Sequence, residues 1–125
     1  MKPKGQGLLA ILAALPLIPS QTLAAEYALN TGNGLLAACT YQGTEAREVE
    51  YQFGVCIGFI KGAANTAAVI STAQGGGDPF CGGPNIDNGQ LRDVVVKALR
   101  AQPETRDQTP VMTILFALHT AFPCP

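Results

Sequence analysis

Four cysteines are the residues of this chain whose chemistry is most readily assigned: Cys39, Cys56, Cys81 and Cys124. Their spacing contains no Cys-x-x-Cys pair, which argues against a zinc site and against a thioredoxin-like redox motif. An even number of cysteines in an exported chain is typical of a disulfide framework. We therefore expect two structural bridges, no metal site and no catalytic thiol.

The other candidates for chemistry are isolated polar residues. His119 has no acidic residue at helical spacing, so we interpret it as a core or rim histidine and not as a catalytic base. Ser71 lacks the Gly-x-Ser-x-Gly elbow of a nucleophilic serine. The segment Gly-Gly-Gly-Asp at 75–78 lacks the lysine of a phosphate-binding loop and follows a predicted helix, not a strand. The sequence predicts no catalytic residue, no cofactor and no enzyme activity.

The first residues of the chain predict export. Lys2 and Lys4 precede an apolar run at 8–18, and small residues follow at Ala24 and Ala25. This order of basic, apolar and small residues is typical of a secretory signal peptide. The run is shorter than the roughly 20 apolar residues that span a bilayer. We expect residues 1–25 to be cleaved and residues 26–125 to form one small domain.

The charge of the chain excludes one class of partner. The formal net charge is −1, and both lysines of the predicted signal peptide are lost on cleavage, which makes the mature chain more acidic. Because the sequence shows no basic patch, we expect no nucleic acid partner. We identify no second apolar segment, and therefore expect a soluble mature protein without membrane contact.

Hydrophobic periodicity predicts four helices, of which the second is the clearest. The first is short, from Thr31 to Cys39, and the second runs from residue 48 to about residue 72. Along the second helix, apolar residues recur alternately four and three positions apart, which predicts a face turned towards the core. The glycine run at 75–77 ends it. This inward seam comprises Val49, Phe53, Cys56, Ile60, Ala63, Ala67 and Ile70.

The second helix also carries glycines four residues apart at Gly54, Gly58 and Gly62, on the face opposite the seam. Each glycine within a helix costs up to about 1 kcal/mol relative to alanine, so the stripe implies a compensating contact. We interpret it as the close approach of a neighbouring helix within the fold. The alternative is a self-association or partner surface. Polar residues on the same face, among them Lys61, argue against dimerisation in a membrane.

The third helix has the best-marked start. Asp87 is a predicted N-cap with Gln90 as its capping-box partner. Pro103 ends the helix, because a proline disfavours the helical conformation of the residue before it. The predicted buried stripe comprises Leu91, Val94, Val95, Ala98 and Leu99.

The fourth helix is predicted from Thr109, with Pro110 in its first turn. It has a core face and, beside it, a second apolar strip of Met112 and Phe116 with His119. A helix that is apolar around most of its circumference is either central in the bundle or covered by a partner. The core face comprises Val111, Ile114, Leu115, Leu118 and Phe122.

These elements predict an all-α fold: a small four-helix bundle of up-and-down type, stapled by two disulfides. In such a bundle the start of helix three lies near the end of helix four, which favours Cys81–Cys124 together with Cys39–Cys56. The nested pairing, Cys39–Cys124 with Cys56–Cys81, remains open, since four cysteines allow three connectivities.

Three stretches carry a family resemblance: VCIGFIKG at 55–62, FCGGPNIDNGQLRDVVVKALRAQPETR at 80–106 and ALHTAFPCP at 117–125. In order and spacing they resemble the Rap/Tai family of immunity proteins, over most of residues 33–125. The chain departs from the family pattern at Val55 and Phe59, where tyrosines are usual, and at Asn65, where aspartate is usual. Its Gly-Gly-Pro at 82–84 is one residue longer than the usual segment.

The resemblance implies an exported, helical protein that acts in the periplasm. Such proteins resist type VI secreted peptidoglycan amidases by binding and occluding them, and the resemblance also implies a homodimer. The alternatives are an exported structural or chaperone-like helical module without a toxin partner, and a carrier of small molecules.

Two stretches are our candidates for the partner-facing surface. One is the loop from Gly75 to Asn88, and the other is the apolar strip of helix four. The loop also fits a plain connector fixed by Cys81. The candidate residues are Asp78, Phe80 and Asn85 in the loop, and Met112, Phe116 and His119 on the helix.

Overall fold

A computed structural model describes residues 27–82 and 86–125 of the chain. The predicted signal peptide and Asn85 lie outside these residues. Within them the chain forms four α-helices and a short 3₁₀ helix, without a β-strand, which confirms the predicted all-α bundle. The helices are α1 (Gly32–Cys39), α2 (Ala46–Ala73), α3 (Asn88–Ala101) and α4 (Val111–Ala121), and the 3₁₀ helix is Pro103–Thr105.

The helices pack around one apolar core. Helix α1 packs against α2 and α3, and α4 packs against the same two helices. The side chains that fill the centre are almost completely buried, and all four helices contribute to them. They include Leu35 from α1, Ile60 from α2, Val95 and Leu99 from α3, and Ile114 and Leu118 from α4.

Helix α1 begins where the sequence predicts, because its first N–H groups find acceptors. The Thr31 side-chain oxygen accepts a hydrogen bond from the Gly34 N–H at 3.1 Å. The Gly32 N–H donates to the Gln108 carbonyl of the segment before α4, at 2.9 Å. Gly34 has to be a glycine, since a Cβ there would overlap the Ala28 carbonyl oxygen. These bonds fix the start of α1 to the segment that precedes α4.

Helix α2 ends at the glycine run, as predicted. Gly75 adopts φ +78°, which a residue with a side chain rarely adopts. The Gly76 N–H donates to the Ser71 carbonyl at 2.8 Å, and the Gly75 N–H donates to the Thr72 carbonyl at 3.0 Å. These two bonds form a Schellman cap, which satisfies the last carbonyls of the helix.

The inward face of α2 differs from the predicted seam along most of its length: Cys56 and Ile60 are buried, but Val49, Phe53, Ala63 and Ala67 are only half-buried. Ile70 was expected in the core but is 51% exposed. Gln52, which the pattern omitted, is buried, and its side-chain N–H donates to the Glu48 carboxylate at 2.8 Å. At 28 residues α2 is about 42 Å long, whereas the 11 residues of α4 span about 16 Å, so its last turns extend beyond a covering helix. The buried face comprises Gln52, Cys56, Ile57, Ile60 and Ala64.

Helix α3 confirms the predicted N-cap, since the Asp87 carboxylate accepts a hydrogen bond from the Gln90 N–H at 2.8 Å. Its buried stripe consists of Leu91, Val95, Val96 and Leu99. Val96 was not predicted, while Val94 and Ala98 are only half-buried.

Helix α4 begins two residues later than predicted. Pro110 is buried and lies just before the first helical residue, and its carbonyl accepts the Ile114 N–H at 2.9 Å. The buried residues are Ile114, Ala117 and Leu118. Ala117 was not predicted to be in the core. Val111, Leu115 and Phe122 were predicted there but are only half-buried, because the core face of α4 is turned towards α3.

The two disulfides lie in different surroundings. Cys39–Cys56 joins the end of α1 to α2, with a Cα–Cα distance of 5.0 Å, and both residues are buried. Cys81–Cys124 joins the loop before α3 to the tail after α4, with a Cα–Cα distance of 4.7 Å, and both residues are exposed. Of the two pairings that the sequence leaves open, the structure contains the one without nesting.

Candidate functional site

The two candidate stretches of the sequence meet in the structure. The ring Nδ1 of His119 donates to the Pro79 carbonyl at 2.7 Å, which brings the loop onto the end of α4. The Cys81 N–H donates to the Phe122 carbonyl at 2.9 Å, beside the Cys81–Cys124 bridge. We name this region the loop–α4 surface. It comprises Asp78, Phe80, Met112, Phe116 and His119.

The α4 part of this surface is apolar and exposed. Met112 is 71% exposed and Phe116 is 66% exposed. They are four residues apart on one helix and therefore neighbours on its surface. His119 is also exposed and continues the row towards the loop. An exposed pair of large apolar side chains beside a tethered polar loop is typical of a protein-binding surface.

The loop part combines an anchor and a charge. Phe80 is half-buried and packs against the bundle core, so its ring holds the loop in place. Asp78 is exposed two residues before it. A cavity of about 290 Å³ lies beside Phe80, and its lining includes Asn65, Gly82 and Leu118. Asn85, the remaining candidate of the loop, lies outside the described residues.

The glycine stripe of α2 contacts no other helix of the described chain. Among residues 27–82 and 86–125, a Cβ atom built on Gly54, Gly58 or Gly62 would have no neighbouring atom within 4 Å. The interpretation of the stripe as close helix packing within the fold is therefore wrong. These glycines face open space on the side of α2 away from the core.

An apolar groove runs between α2 and α4. Its volume is about 700 Å³, and none of the described residues that line it is charged. Thr66 contributes the one side-chain hydroxyl among them. The lining residues are Leu29, Val55, Gly58, Phe59, Gly62, Ala63, Thr66, Ala67, Ile70, Val111 and Leu115.

A smaller groove of about 370 Å³ lies on the other side of α4, against α3. Phe116 and Ala117 line it from α4, and Val94 and Ala98 line it from α3. The exposed row of Met112 and Phe116 thus stands as a ridge between two apolar grooves. A ridge flanked by grooves is the shape into which another helix packs.

Within the described ranges, α2 is the one helix that is long and apolar enough to cross a membrane by length and composition. Only 22% of its most apolar 18-residue window is buried in the bundle. This finding revises the expectation that no such segment follows the signal peptide. Core helices of soluble proteins pass the same test, so length and composition alone do not assign α2 to a membrane.

The polar residues of the described chain form few clusters. Between residues 27–82 and 86–125, no three His, Cys, Asp or Glu side chains are grouped so that they could hold a metal ion. Arg92 pairs with Asp93 at 2.8 Å and lies 5.5 Å from the centre of the Phe53 ring. These two charges are paired with each other on the surface of α3.

The family model described as Rap1a immunity proteins matches residues 31–124 of the chain. The chain belongs to the Rap1a immunity protein family. The family indicates an immunity function against a secreted effector, and hence the binding of an effector protein. Members are typically not enzymes, and the family together with the two disulfides fits an exported protein. No curated protein and no solved structure matches the chain.

This Rap1a family member departs from the usual family sequence at two places in the structure. Val55 and Phe59 line the α2–α4 groove, and Asn65 and Gly82 line the cavity beside Phe80. Sequence reasoning overlooked the groove. Its signal on α2 was the pair of large apolar residues Val55 and Phe59, four positions apart and outside the predicted inward seam.

Proposed function

We propose that this chain is a periplasmic immunity protein that binds and occludes a type VI secreted peptidoglycan amidase. The observation that carries the proposal is the loop–α4 surface. The hydrogen bond from His119 to Pro79 joins an exposed apolar ridge to a disulfide-tethered loop, and so makes one surface from two distant parts of the chain.

Occlusion requires a surface that is complementary to the enzyme and already ordered before binding. The Cys81–Cys124 bridge, the Cys81–Phe122 hydrogen bond and the packing of Phe80 fix the loop against the bundle. Ordering the surface in advance lowers the entropy lost on binding. Phe116 is the best candidate for an energetic anchor, because large aromatic side chains contribute most at protein interfaces.

The proposed site of action follows from export. We propose that residues 1–25 direct the chain across the inner membrane and are then removed. Both bridges would form in the oxidising periplasm, where disulfides persist. A bound amidase would be blocked there before it reaches peptidoglycan. The proposal includes a homodimer of the mature chain.

The experiment is a capture assay with the oxidised mature chain as bait for secreted proteins of the source bacterium and its relatives. We expect mass spectrometry to identify a peptidoglycan amidase. Phe116→Asp places a charge on the ridge and should abolish capture. Ala46→Asp makes the same type of change at an exposed position in the first turn of α2, about 20 Å or more along the helix from the part of α2 beside Phe80, and should have no effect.

An exported chaperone-like module is the second candidate, and the uncharged α2–α4 groove favours it. Such a module would bind many unfolded apolar segments and no single enzyme. Capture of diverse unfolded proteins, with Phe116→Asp as effective as the natural chain, would support this second function and contradict the first.

A further inference from the structure

The loop part of the loop–α4 surface is joined to the tail of the chain by one covalent bond, the Cys81–Cys124 bridge. Both cysteines are exposed, and so are Pro123 and Pro125 on either side of Cys124. Thiol–disulfide exchange requires access of a thiolate to a sulfur atom, and exposed disulfides are the labile ones. The bridge is therefore open to a reductant while the protein is folded.

The polar contacts that hold the loop besides this bridge are individually weak. The hydrogen bond from the His119 ring to the Pro79 carbonyl is exposed, and the Cys81 N–H donates to the Phe122 carbonyl right beside the bridge. A hydrogen bond that is open to water adds little net stability, because water replaces the lost partner. The one ion pair of the described chain lies on α3 and does not involve the loop.

The bridge lies next to residues of the proposed binding surface. Phe80 directly precedes Cys81, and the Cys124 Sγ lies 3.5 Å from the Asp78 carbonyl oxygen. A change at the bridge is therefore felt by the loop residues that the surface uses. The bond acts at the point where loop and tail meet.

The bundle does not depend on this bridge in the same way. The core is filled by buried residues of all four helices, among them Ile60, Leu99 and Ile114. The second disulfide, Cys39–Cys56, is itself buried in that core and out of reach of a reductant in solution. Opening the exposed bridge alone should leave the four helices packed.

We propose that Cys81–Cys124 is a redox-sensitive tether of the loop–α4 surface. In the oxidised chain the tether holds the loop against the bundle, and effector binding is tight. Reduction releases the loop and weakens effector binding, while Cys39–Cys56 and the bundle stay intact. This inference rests on the proposed function and adds the regulation of the same surface.

The reductant is a dithiol, such as the Cys-x-x-Cys pair of a thiol oxidoreductase. One of its thiolates attacks a sulfur of the bridge, breaks the S–S bond and forms a mixed disulfide. Its second thiolate then displaces the protein sulfur. Two electrons and two protons pass to the protein, so that Cys81 and Cys124 end as thiols and the dithiol ends as a disulfide. Oxidation of the two thiols reverses the step.

The test uses dithiothreitol as the dithiol. The oxidised mature chain is treated under native conditions until alkylation and peptide mass spectrometry show Cys81 and Cys124 reduced and Cys39–Cys56 intact. Hydrogen exchange of the Cys81 N–H should become at least about 10-fold faster, because loss of the tether lets the loop open locally. The amides of the helices should exchange as before.

Binding is measured with the same samples and the captured amidase. The affinity of the reduced chain should be at least about 10-fold lower, because the loop must then be ordered again on binding. Reoxidation should restore it. The double variant Cys81→Ser, Cys124→Ser is the matched control: it should bind as weakly as the reduced chain, with or without dithiothreitol. The control separates an effect on the tether from an effect of the reductant on the amidase.

Two results would overturn the inference. One is a reduced, folded chain that binds the amidase as tightly as the oxidised chain, or that protects the Cys81 N–H equally well. The other is simultaneous reduction of both bridges with unfolding of the bundle. An oxidised chain that captures no amidase would contradict the proposed function instead, and hydrogen exchange would then decide whether the tether controls the loop.

Discussion

Both faces of helix α2 carry apolar side chains, but their surroundings are opposite. On the inward face Cys56, Ile57 and Ile60 are buried by the three other helices. On the outer face Tyr51 and Val69 are exposed, and the glycines between them meet no atom. The comparison teaches that helical periodicity finds the faces able to pack, while the lengths and positions of neighbouring helices decide which face is covered.

The largest expected effect belongs to the inward face. Ile60→Ala should lower the free energy of unfolding by about 2–5 kcal/mol, because it removes a fully buried side chain and leaves a cavity. Denaturant titration of the oxidised mature chain measures the change. A loss below about 1 kcal/mol would mean that the inward face is not the packed one.

The two disulfides also differ in how accessible their sulfur atoms are to a reductant. Cys39–Cys56 is buried against the inward face, whereas Cys81–Cys124 is exposed. Thiol–disulfide exchange requires access to a sulfur, so dithiothreitol under native conditions should reduce Cys81–Cys124 at least about 10-fold faster. Alkylation at timed intervals, followed by peptide mass spectrometry, gives both rates. Equal rates would contradict the difference in burial.

The glycines of the outer face predict a gain in stability. Gly54→Ala should raise the free energy of unfolding by about 0.5–1 kcal/mol, since alanine favours the helix and the new methyl group meets no atom. Gly34→Ala is the control with the opposite expected effect on stability, because a Cβ at this position collides with the Ala28 carbonyl. Thermal unfolding should show the first variant stabilised and the second destabilised. A loss of stability in Gly54→Ala would indicate a covered outer face.

The smallest expected effect is that of Val69→Ala. The side chain is mostly exposed, so its truncation should change the free energy of unfolding by no more than about 0.5 kcal/mol. Denaturant titration of the oxidised mature chain measures the change. A loss above about 1 kcal/mol would show that Val69 is covered.

Local signals in the sequence located most helix ends. Asp87 caps α3 and the glycine run ends α2, because capping and positive φ depend on residues within one turn. The helix ends depend on short-range chemistry, and the structure agrees with them. The sequence also named Asp78, Phe80, Met112, Phe116 and His119 as candidates for a partner surface, and that role stays a prediction.

Features that depend on contacts between residues far apart in the sequence could not be predicted from local patterns. The hydrogen bond from His119 to Pro79 joins residues 40 positions apart, and no local sequence pattern predicts it. The exposure of Ile70 depends on where the shorter α4 ends. The glycine stripe was misread for a related reason: its spacing shows that a helix could approach, and only the packed fold shows that none within the described chain does.

The central claim is that this chain protects by occluding a peptidoglycan amidase with its loop–α4 surface. The most direct measurement is the rate at which the captured amidase cleaves purified peptidoglycan in the presence of the oxidised mature chain. The account predicts that cleavage stops once the chain is in excess, that Phe116→Asp restores it, and that Ala46→Asp inhibits like the natural chain. Cleavage at the full rate in the presence of excess natural chain would contradict the account.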